Sequence, residues 1–362
     1  MPDEAKAAYK RAGHGQVDVD LGGARMTRSA ALSTLDLREH GGEIRWAGLD
    51  ARPRLTTLSW SGDDRGLAEA LEDRPLLAAL RWASPPGEVD LGRTHLTDLI
   101  IEGPGPRRLV LPPGLMRLKL LGEPPEEVVA AADGRWVHLL LRSCHRGVPS
   151  GLHGVRDLTL DVARDLPGAV LDGLTELESL LVRWTGPYGG FPGAVVLPRL
   201  HSLELIDAYG VEASTLPESL RYLRVNGLRS SRSRAVRQRY QGADVVVEVR
   251  GAKSDRWLAG NIDNPLRDWV DDDKRGGTAA CKAYAEAARA IGALSAEDPG
   301  AVANARGVLL RFVEELNSID ERHEMIDTLR REEAGEAFFG LAKRAGVPAT
   351  EAGAWFDDWR EF

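Results

Sequence analysis

Apolar residues recur through positions 53–250 in a short alternating pattern. Nine tripeptides flank a variable residue with two core-type residues: Leu58-Ser59-Trp60, Leu80-Arg81-Trp82, Leu99-Ile100-Ile101, Leu118-Lys119-Leu120, Leu139-Leu140-Leu141, Leu158-Thr159-Leu160, Leu180-Leu181-Val182, Leu203-Glu204-Leu205 and Leu223-Arg224-Val225. A period of two puts the flanking residues on one side of an extended strand. The centres step by 22, 19, 19, 21, 19, 22, 23 and 20 residues, so one structural unit returns at a near-constant interval. Such a unit cannot cover its own apolar face and needs a like unit above and below it. The pattern therefore predicts stacked parallel strands, with Val245 to Val249 extending or closing the sheet. Between the strands, GLAEALEDR (66–74) and EEVVAAAD (126–133) read as short helices, and Leu166 to Leu174 as a helix or 3₁₀ turn. Gly103-Pro104-Gly105-Pro106 is too short and too rich in breakers for a helix.

Residues 1–52 are polar and weakly patterned. Val17, Val19 and Leu21 alternate like a short strand, and Leu35, Leu37, Ile44, Trp46 and Leu49 are candidates for a cap over the first unit. Near residue 253 the spacing becomes helical. Asn264-Pro265 is a start signal before Leu266, Trp269 and Val270, and Cys281, Tyr284, Ala288 and Ile291 share one face. Asp298-Pro299 repeats the start signal. Leu309, Phe312, Val313, Leu316 and Ile319 form the next stripe. Ile326, Leu329, Ala337, Phe338, Leu341 and Ala345 form another, and Ala352, Trp355, Trp359 and Phe362 the last. The expected organisation is a lead-in and cap over 1–52, a repeat array over 53–252 and a small all-α helical bundle over 253–362.

Two stretches are almost the same. Leu197, Pro198, Leu200, Leu203 and Leu205 are followed by Leu216, Pro217, Leu220, Leu223 and Val225, spelling Leu-Pro-x-x-Leu-x-x-Leu-x-(Leu/Val) twice. This resembles the bacterial leucine-rich repeat, over about residues 33–250. The resemblance implies an α/β solenoid with a parallel sheet, here followed by helices that match no named family. It also implies an Asn or Cys three residues after the last strand leucine, bonding turn backbone. Those slots hold Asp63, Pro85, Pro104, Glu123, Cys144, Ala163, Thr185, Ala208 and Leu228, of which only Cys144 fits. An irregular array without a regular horseshoe curvature is expected.

Trp60, Trp82 and Trp184 share parity with the core leucines and read as core filling, where an aromatic buries a large apolar area. The opposite parity lines an exposed sheet face. Its candidate partner-binding residues are Arg81, Asp98, Glu102, Arg117, Lys119, His138, Arg142, Asp157, Asp161, Arg183, Glu204, Tyr222 and Arg224. Charge is banded along it, acidic at Asp98 and Glu102, basic from Arg117 to Arg142, acidic at Asp157 and Asp161. Leucine and isoleucine are interleaved. A mixed surface of this kind suits a protein or peptide partner. A second basic surface follows at Arg229, Arg232, Arg234, Arg237 and Arg239. On a helix, Arg232 and Arg239 with Ala235 and Val236 would form an amphipathic stripe.

Composition narrows the function. Residues 1–254 hold 33 Lys+Arg and 33 Asp+Glu, while 255–362 hold 14 and 22, so the last segment carries the whole net charge of −8. That balance makes nucleic acid an unlikely partner for the helical segment. No apolar run approaches a membrane span and no secretory h-region opens the chain. Two cysteines, Cys144 and Cys281, give no disulfide framework, which fits a reducing cytoplasm. No phosphate-binding glycine loop, nucleophile elbow or zinc-protease motif occurs. The carboxylates Asp268, Asp271, Asp272 and Asp273 lack the two Glu-x-x-His motifs of a di-iron bundle, since His323 is the one histidine there. Cys144-His145 with His153 is a weak zinc triple. No catalytic, cofactor or metal residue is assigned. The expectation is a non-catalytic cytoplasmic adaptor that binds a protein partner with the sheet face. The alternatives are a repeat-targeted helical module with enzymatic or toxin-neutralising activity, or a nucleic-acid-associated protein using Arg229 to Arg239.

Overall fold

The computed structural model describes residues 16–22, 25–29, 33–142, 147–185, 189–193, 195–294 and 300–362. The chain divides into two compact units, Met1–Arg250 and Gly251–Phe362. The architecture is α/β, dominated by a parallel sheet of 11 strands.

In the first unit, β1 (Gln16–Asp20) and β2 (Arg25–Ser29) form an antiparallel pair. The large sheet begins at β3 (Thr34–Asp36). It continues through β4 (Thr57–Ser61), β5 (Ala79–Ala83), β7 (Asp98–Glu102), β9 (Arg117–Leu120) and β11 (His138–Arg142). It ends with β12 (Asp157–Val162), β13 (Ser179–Trp184), β14 (Ser202–Ile206), β15 (Tyr222–Asn226) and β16 (Val246–Arg250). Each strand pairs in parallel with the next in chain order, and all nine alternating tripeptides are rungs of this sheet. Two further rungs lie at its ends. Leu35 and Leu37, read above as cap residues, belong to the first rung or its edge and are buried. β16 is the other edge, with its valines only partly covered.

The returns depend on how many residues are available. The step from β4 to β5 accommodates helix α1 (Leu67–Glu72). The steps from β5 to β7 and from β7 to β9 are both 19 residues. A helix advances only ~1.5 Å per residue and a strand ~3.3 Å, so a short return must stay extended. It does: β6 (Glu88–Asp90) and β8 (Arg108–Val110) are extended, and with β10 (Glu127–Val129), from the 21-residue step to β11, they form a second, three-stranded parallel sheet. The helix expected over 126–133 is replaced by β10, which pairs with β8, and a 3₁₀ turn, Ala131–Gly134. Leu166 to Leu174 contains a 3₁₀ turn at Gly168–Val170.

One core runs the length of the unit, from Leu21 to Tyr240. Trp60, Trp82 and Trp184 are fully buried in it. Two of them also bond turn backbone. Trp60 Nε1 donates to Asp63 O at 2.8 Å and Trp82 Nε1 to Gly62 O at 2.8 Å. Ala208 and Leu228, at slots where the repeat pattern asks for Asn, are buried apolar residues instead. Cys144 and His145 lie outside the described residues. The turns after β7 and β9 nearly touch: a Cβ on Gly122 would sit 1.8 Å from Gly103 O, so only glycine fits.

Helix α2 (Ser230–Arg239) precedes β16, burying Ser233 and Val236 while Ala235 is exposed. The second unit contains α3 (Asp255–Asn261), α4 (Lys274–Gly292), α5 (Ala301–His323), α6 (Thr328–Arg344) and α7 (Ala349–Trp359). Its core joins Leu266 and Trp269 to the stripes of α4 through α7. Asn264-Pro265 opens only a 3₁₀ turn, Arg267–Asp271: the buried Asn264 accepts from Leu266 N through Oδ1 at 3.0 Å, and its Nδ2 donates to Cys281 O. Leu329 leaves the expected stripe and is exposed, since α6 starts there with Asp327 capping Arg330 N. Gly277 lets α4 lie against that 3₁₀ turn, where a Cβ would be 2.4 Å from Trp269 C. Asp298-Pro299 lies outside the described residues.

Candidate interaction face

The parallel register lines the exposed side chains of the large sheet into three rows. The first runs from Thr57 through Ala79, Asp98, Arg117, His138, Asp157, Ser179 and Ser202 to Tyr222. The middle row is Ser59, Arg81, Ile100, Lys119, Leu140, Thr159, Leu181, Glu204 and Arg224. The third contains Ser61, Ala83 and Glu102, then, from β11 onward, Arg142, Asp161, Arg183, Ile206 and Asn226. All thirteen candidate face residues lie on these rows.

The charge bands neutralise one another from rung to rung. Arg81 bonds Glu102, and Arg117 bonds Asp98. Asp161 is only 6% exposed and sits between Arg142 at 3.7 Å and Arg183 at 3.5 Å. Arg224 meets Glu204 at 3.2 Å. On the first rung Arg38 bonds Asp36 at 2.6 Å, a pair that sequence reading missed although Leu35 and Leu37 carry the same alternation. Hydrogen bonds from Arg81 hold the Glu102 carboxyl below its usual range against burial. Burial pushes Asp98 up, but bonds from Arg117 and Thr97 outweigh it and the net direction is down. Lys119, His138 and Asp157 are exposed, and among the described residues none of them has an ion pair. His138 Nε2 lies 3.3 Å from Thr159 Oγ1. Tyr222 is half-buried.

Beside these paired charges, the apolar members of the middle row stand out. Ile100, Leu140 and Leu181 are half-exposed on alternate rungs, with Lys119 and the buried Thr159 between them and Ile206 in the next row. At the β4–β5 end small side chains, Thr57, Ser59 and Ala79, leave a depression of about 430 Å³ bounded by Arg81, Ile100 and Arg117.

The second basic surface is largely turned inward. Arg229 Nε donates to Tyr209 O at 3.0 Å, Arg232 Nη1 to Val211 O at 3.2 Å and Arg239 Nη2 to Leu216 O at 2.6 Å. These three fasten α2 to the preceding return, while Arg234 and Arg237 are exposed.

The carboxylates of the second unit also have structural work. Asp271 bonds the buried Lys253 and Asp272 bonds Arg330. Asp273 Oδ1 accepts from Gly276 N at 2.6 Å as the cap of α4, and faces His323 at 3.6 Å. Burial pushes the Cys281 thiol up to about 12, so it is not a ready nucleophile. Among the described residues no three His, Cys, Asp or Glu side chains are placed to hold a metal ion, and no helix is long and apolar enough to cross a membrane.

One exposed residue was not foreseen. Three positions before the first leucine of β4, β5, β7, β9 and β12 to β15 stands a buried leucine or valine, such as Leu115 or Val155. On β11 that slot is Trp136, and it is 68% exposed. The sequence signal was the lone aromatic in a leucine column.

No protein-family model matches the chain, and no curated protein matches it.

Proposed function

We propose that residues 33–250 form an irregular leucine-rich repeat solenoid, and that the chain is a non-catalytic adaptor binding a protein partner on the exposed sheet face. The observation that carries this is the set of half-exposed side chains Ile100, Leu140 and Leu181 on alternate rungs of the middle row, with Lys119 and Thr159 between them and most neighbouring charges paired within the chain. Protein interfaces have an apolar centre and a polar rim, and fully paired rim charges can stay solvated while the centre is covered. From Ile100 to Leu181 the row crosses four strand spacings, about 19 Å at ~4.8 Å each, which matches a short helix or strand of a partner. The nucleic-acid alternative has less support, because Arg229, Arg232 and Arg239 spend their donors on carbonyls of this chain. The helices after residue 253 form an accompanying small bundle in this reading, and a cytoplasmic location goes with it.

The test is Ile100→Asp with Leu181→Asp. Charge reversal at Arg117 and Arg142 is a poorer probe, since it would also break their pairs with Asp98 and Asp161. A protein captured from lysate by the full chain should be lost from the double variant while thermal unfolding stays within a few degrees. Equal capture by both, or capture released by nuclease, would remove the face as a protein interface.

A further inference from the structure

We infer that Trp136 and Arg135 form an anchoring point, at the strand-start rim of the large sheet, for an acidic peptide segment that lays an apolar side chain on the indole. This goes beyond the face reading and stands on separate observations.

The first is exposure where the repeat calls for burial. Trp136 fills the column that a buried aliphatic occupies on eight other rungs, yet is 68% exposed. Val137 is buried in its place. The step into β11 is 21 residues, against 19 for the two before it, and the turn before Trp136 has an unusual backbone. Ala132, Asp133 and Gly134 have φ of 48°, 51° and 76°. Two of these are non-glycine residues in the left-handed region, a disfavoured conformation that persists only when surroundings fix it. The surroundings do: Gly154 N donates to Asp133 O at 2.9 Å, and a Cβ on Gly134 would lie 2.7 Å from Leu152 Cδ2. A turn built this way presents the indole to solvent.

The second observation is charge. The Arg135 and Arg156 guanidinium carbons lie 5.4 and 5.7 Å from the indole centroid. Arg156 also faces Glu178 at 3.4 Å. Arg135 is exposed and, among the described residues, has no carboxylate within ion-pair distance, unlike Arg81, Arg117, Arg142, Arg183 and Arg224 of the face. On the adjacent rung Met116 is 63% exposed, and its carbonyl accepts from His138 N. Tryptophan, arginine and methionine are enriched where proteins bind proteins, and a guanidinium lacking a carboxylate on its own chain calls for one from the occupant. The occupant is therefore a peptide with Asp or Glu beside an aliphatic, proline or aromatic residue.

The full chain should be panned against a phage-displayed library of random peptides. Enriched peptides should pair a carboxylate with an apolar neighbour. Trp136→Ala should weaken a synthetic copy by about thirtyfold, and Arg135→Glu comparably, as for an interface hot spot. Both side chains are exposed, so thermal unfolding of the variants should match the parent; Arg135→Glu, which keeps the indole, reads the charge contact alone. No enrichment, enriched peptides without carboxylates, or equal binding by Trp136→Ala would overturn the inference. So would retention of single-stranded oligouridylate that Trp136→Ala abolishes, which would make the indole a base-stacking platform. Peptide still held by the Ile100→Asp, Leu181→Asp variant but not by Trp136→Ala would uphold this rim even if the face proved not to be an interface.

Discussion

The two units bury similar side chains but find their partners at different distances along the chain. In Met1–Arg250 a residue meets its counterpart one rung away: Arg117 bonds Asp98, 19 residues earlier, and Arg199 bonds Glu176, 23 earlier. In Gly251–Phe362 the ties are longer, as when Trp269 Nε1 donates to Glu333, 64 residues on, or Asn317 Nδ2 to Trp359 O, 42 on. Stability built from nearest neighbours is roughly a sum over rungs, so damage should stay local. A core in which several helices converge should fail as one piece.

The strongest way to break this contrast is to insert a side chain where backbone meets backbone. Gly122→Val would drive a Cβ against Gly103 O, and Gly277→Val against the Trp269–Val270 backbone. Each should cost more than about 4 kcal/mol, the range of exceptional substitutions. Hydrogen exchange read by mass spectrometry separates them. Gly122→Val should strip protection from β7, β9 and β11 while β14 and β15 keep theirs. Gly277→Val should strip α4 through α7 together. Uniform loss across residues 33–250 in Gly122→Val would show that the sheet unit is as cooperative as the helical one.

The same contrast explains what could be read from sequence. Nine rungs were legible because each repeats an alternation at a countable interval, and repetition turns a weak local signal into a strong one. The first rung was not, since Leu35 stands in a polar segment, whereas Val245 to Val249 was expected to extend or close the sheet and forms its last strand. The return over 126–133 was misread because Glu and Ala favour a helix, while pairing with β8 holds Glu127–Val129 extended. On the face, parity gave the rows these residues occupy but not their pairing. Banded charges looked like open patches until the register set Arg142 and Arg183 against Asp161. Trp136 was hidden because its exposure depends on the φ angles of three preceding residues. In the helical unit the stripes were clear, and Asn264 does accept from Leu266 N like a cap, but the turn it opens is 3₁₀ and its Nδ2 also ties to Cys281 O.

A milder pair of substitutions sharpens the contrast. Trp82→Phe removes the bond to Gly62 O one rung away, and Trp269→Phe removes the bond to Glu333 Oε2. Both indoles are buried, so each change leaves an acceptor short of a donor and a small void. The expected loss is about 1–3 kcal/mol in each case by denaturant titration. The difference should lie in reach. Trp82→Phe should raise exchange in β4, β5 and β7 only, whereas Trp269→Phe should raise it on both α4 and α6. Matching reach in the two variants would mean that sequence separation does not govern how damage spreads.

The smallest effect is on acidification, and its sign follows from the carboxylates. Asp36, held by hydrogen bonds from Arg38, and Glu102, held by those from Arg81, lie below their usual range. Asp98 is driven up by burial and more strongly down by Arg117 and Thr97. In the second unit the Gly276 N–H holds Asp273 down, with His323 adding to it. A carboxylate depressed in the folded state adds stability above its unfolded value of about 4, and that contribution disappears as pH falls through the folded value. Both units should therefore lose a few degrees of thermal stability between about pH 5 and pH 2, with no change near neutrality from these groups. The exposed pairs are screened by water and salt, so the sheet unit's loss should shrink in high salt. Asp273 acts on backbone at a helix start, a contact that salt reaches less, and its loss should persist. Paired melts at low and high salt would test this. A salt-independent acid loss in the sheet unit would mean that its carboxylates act through burial or backbone bonds, and that the rung-to-rung ion pairs contribute nothing to holding the face in shape.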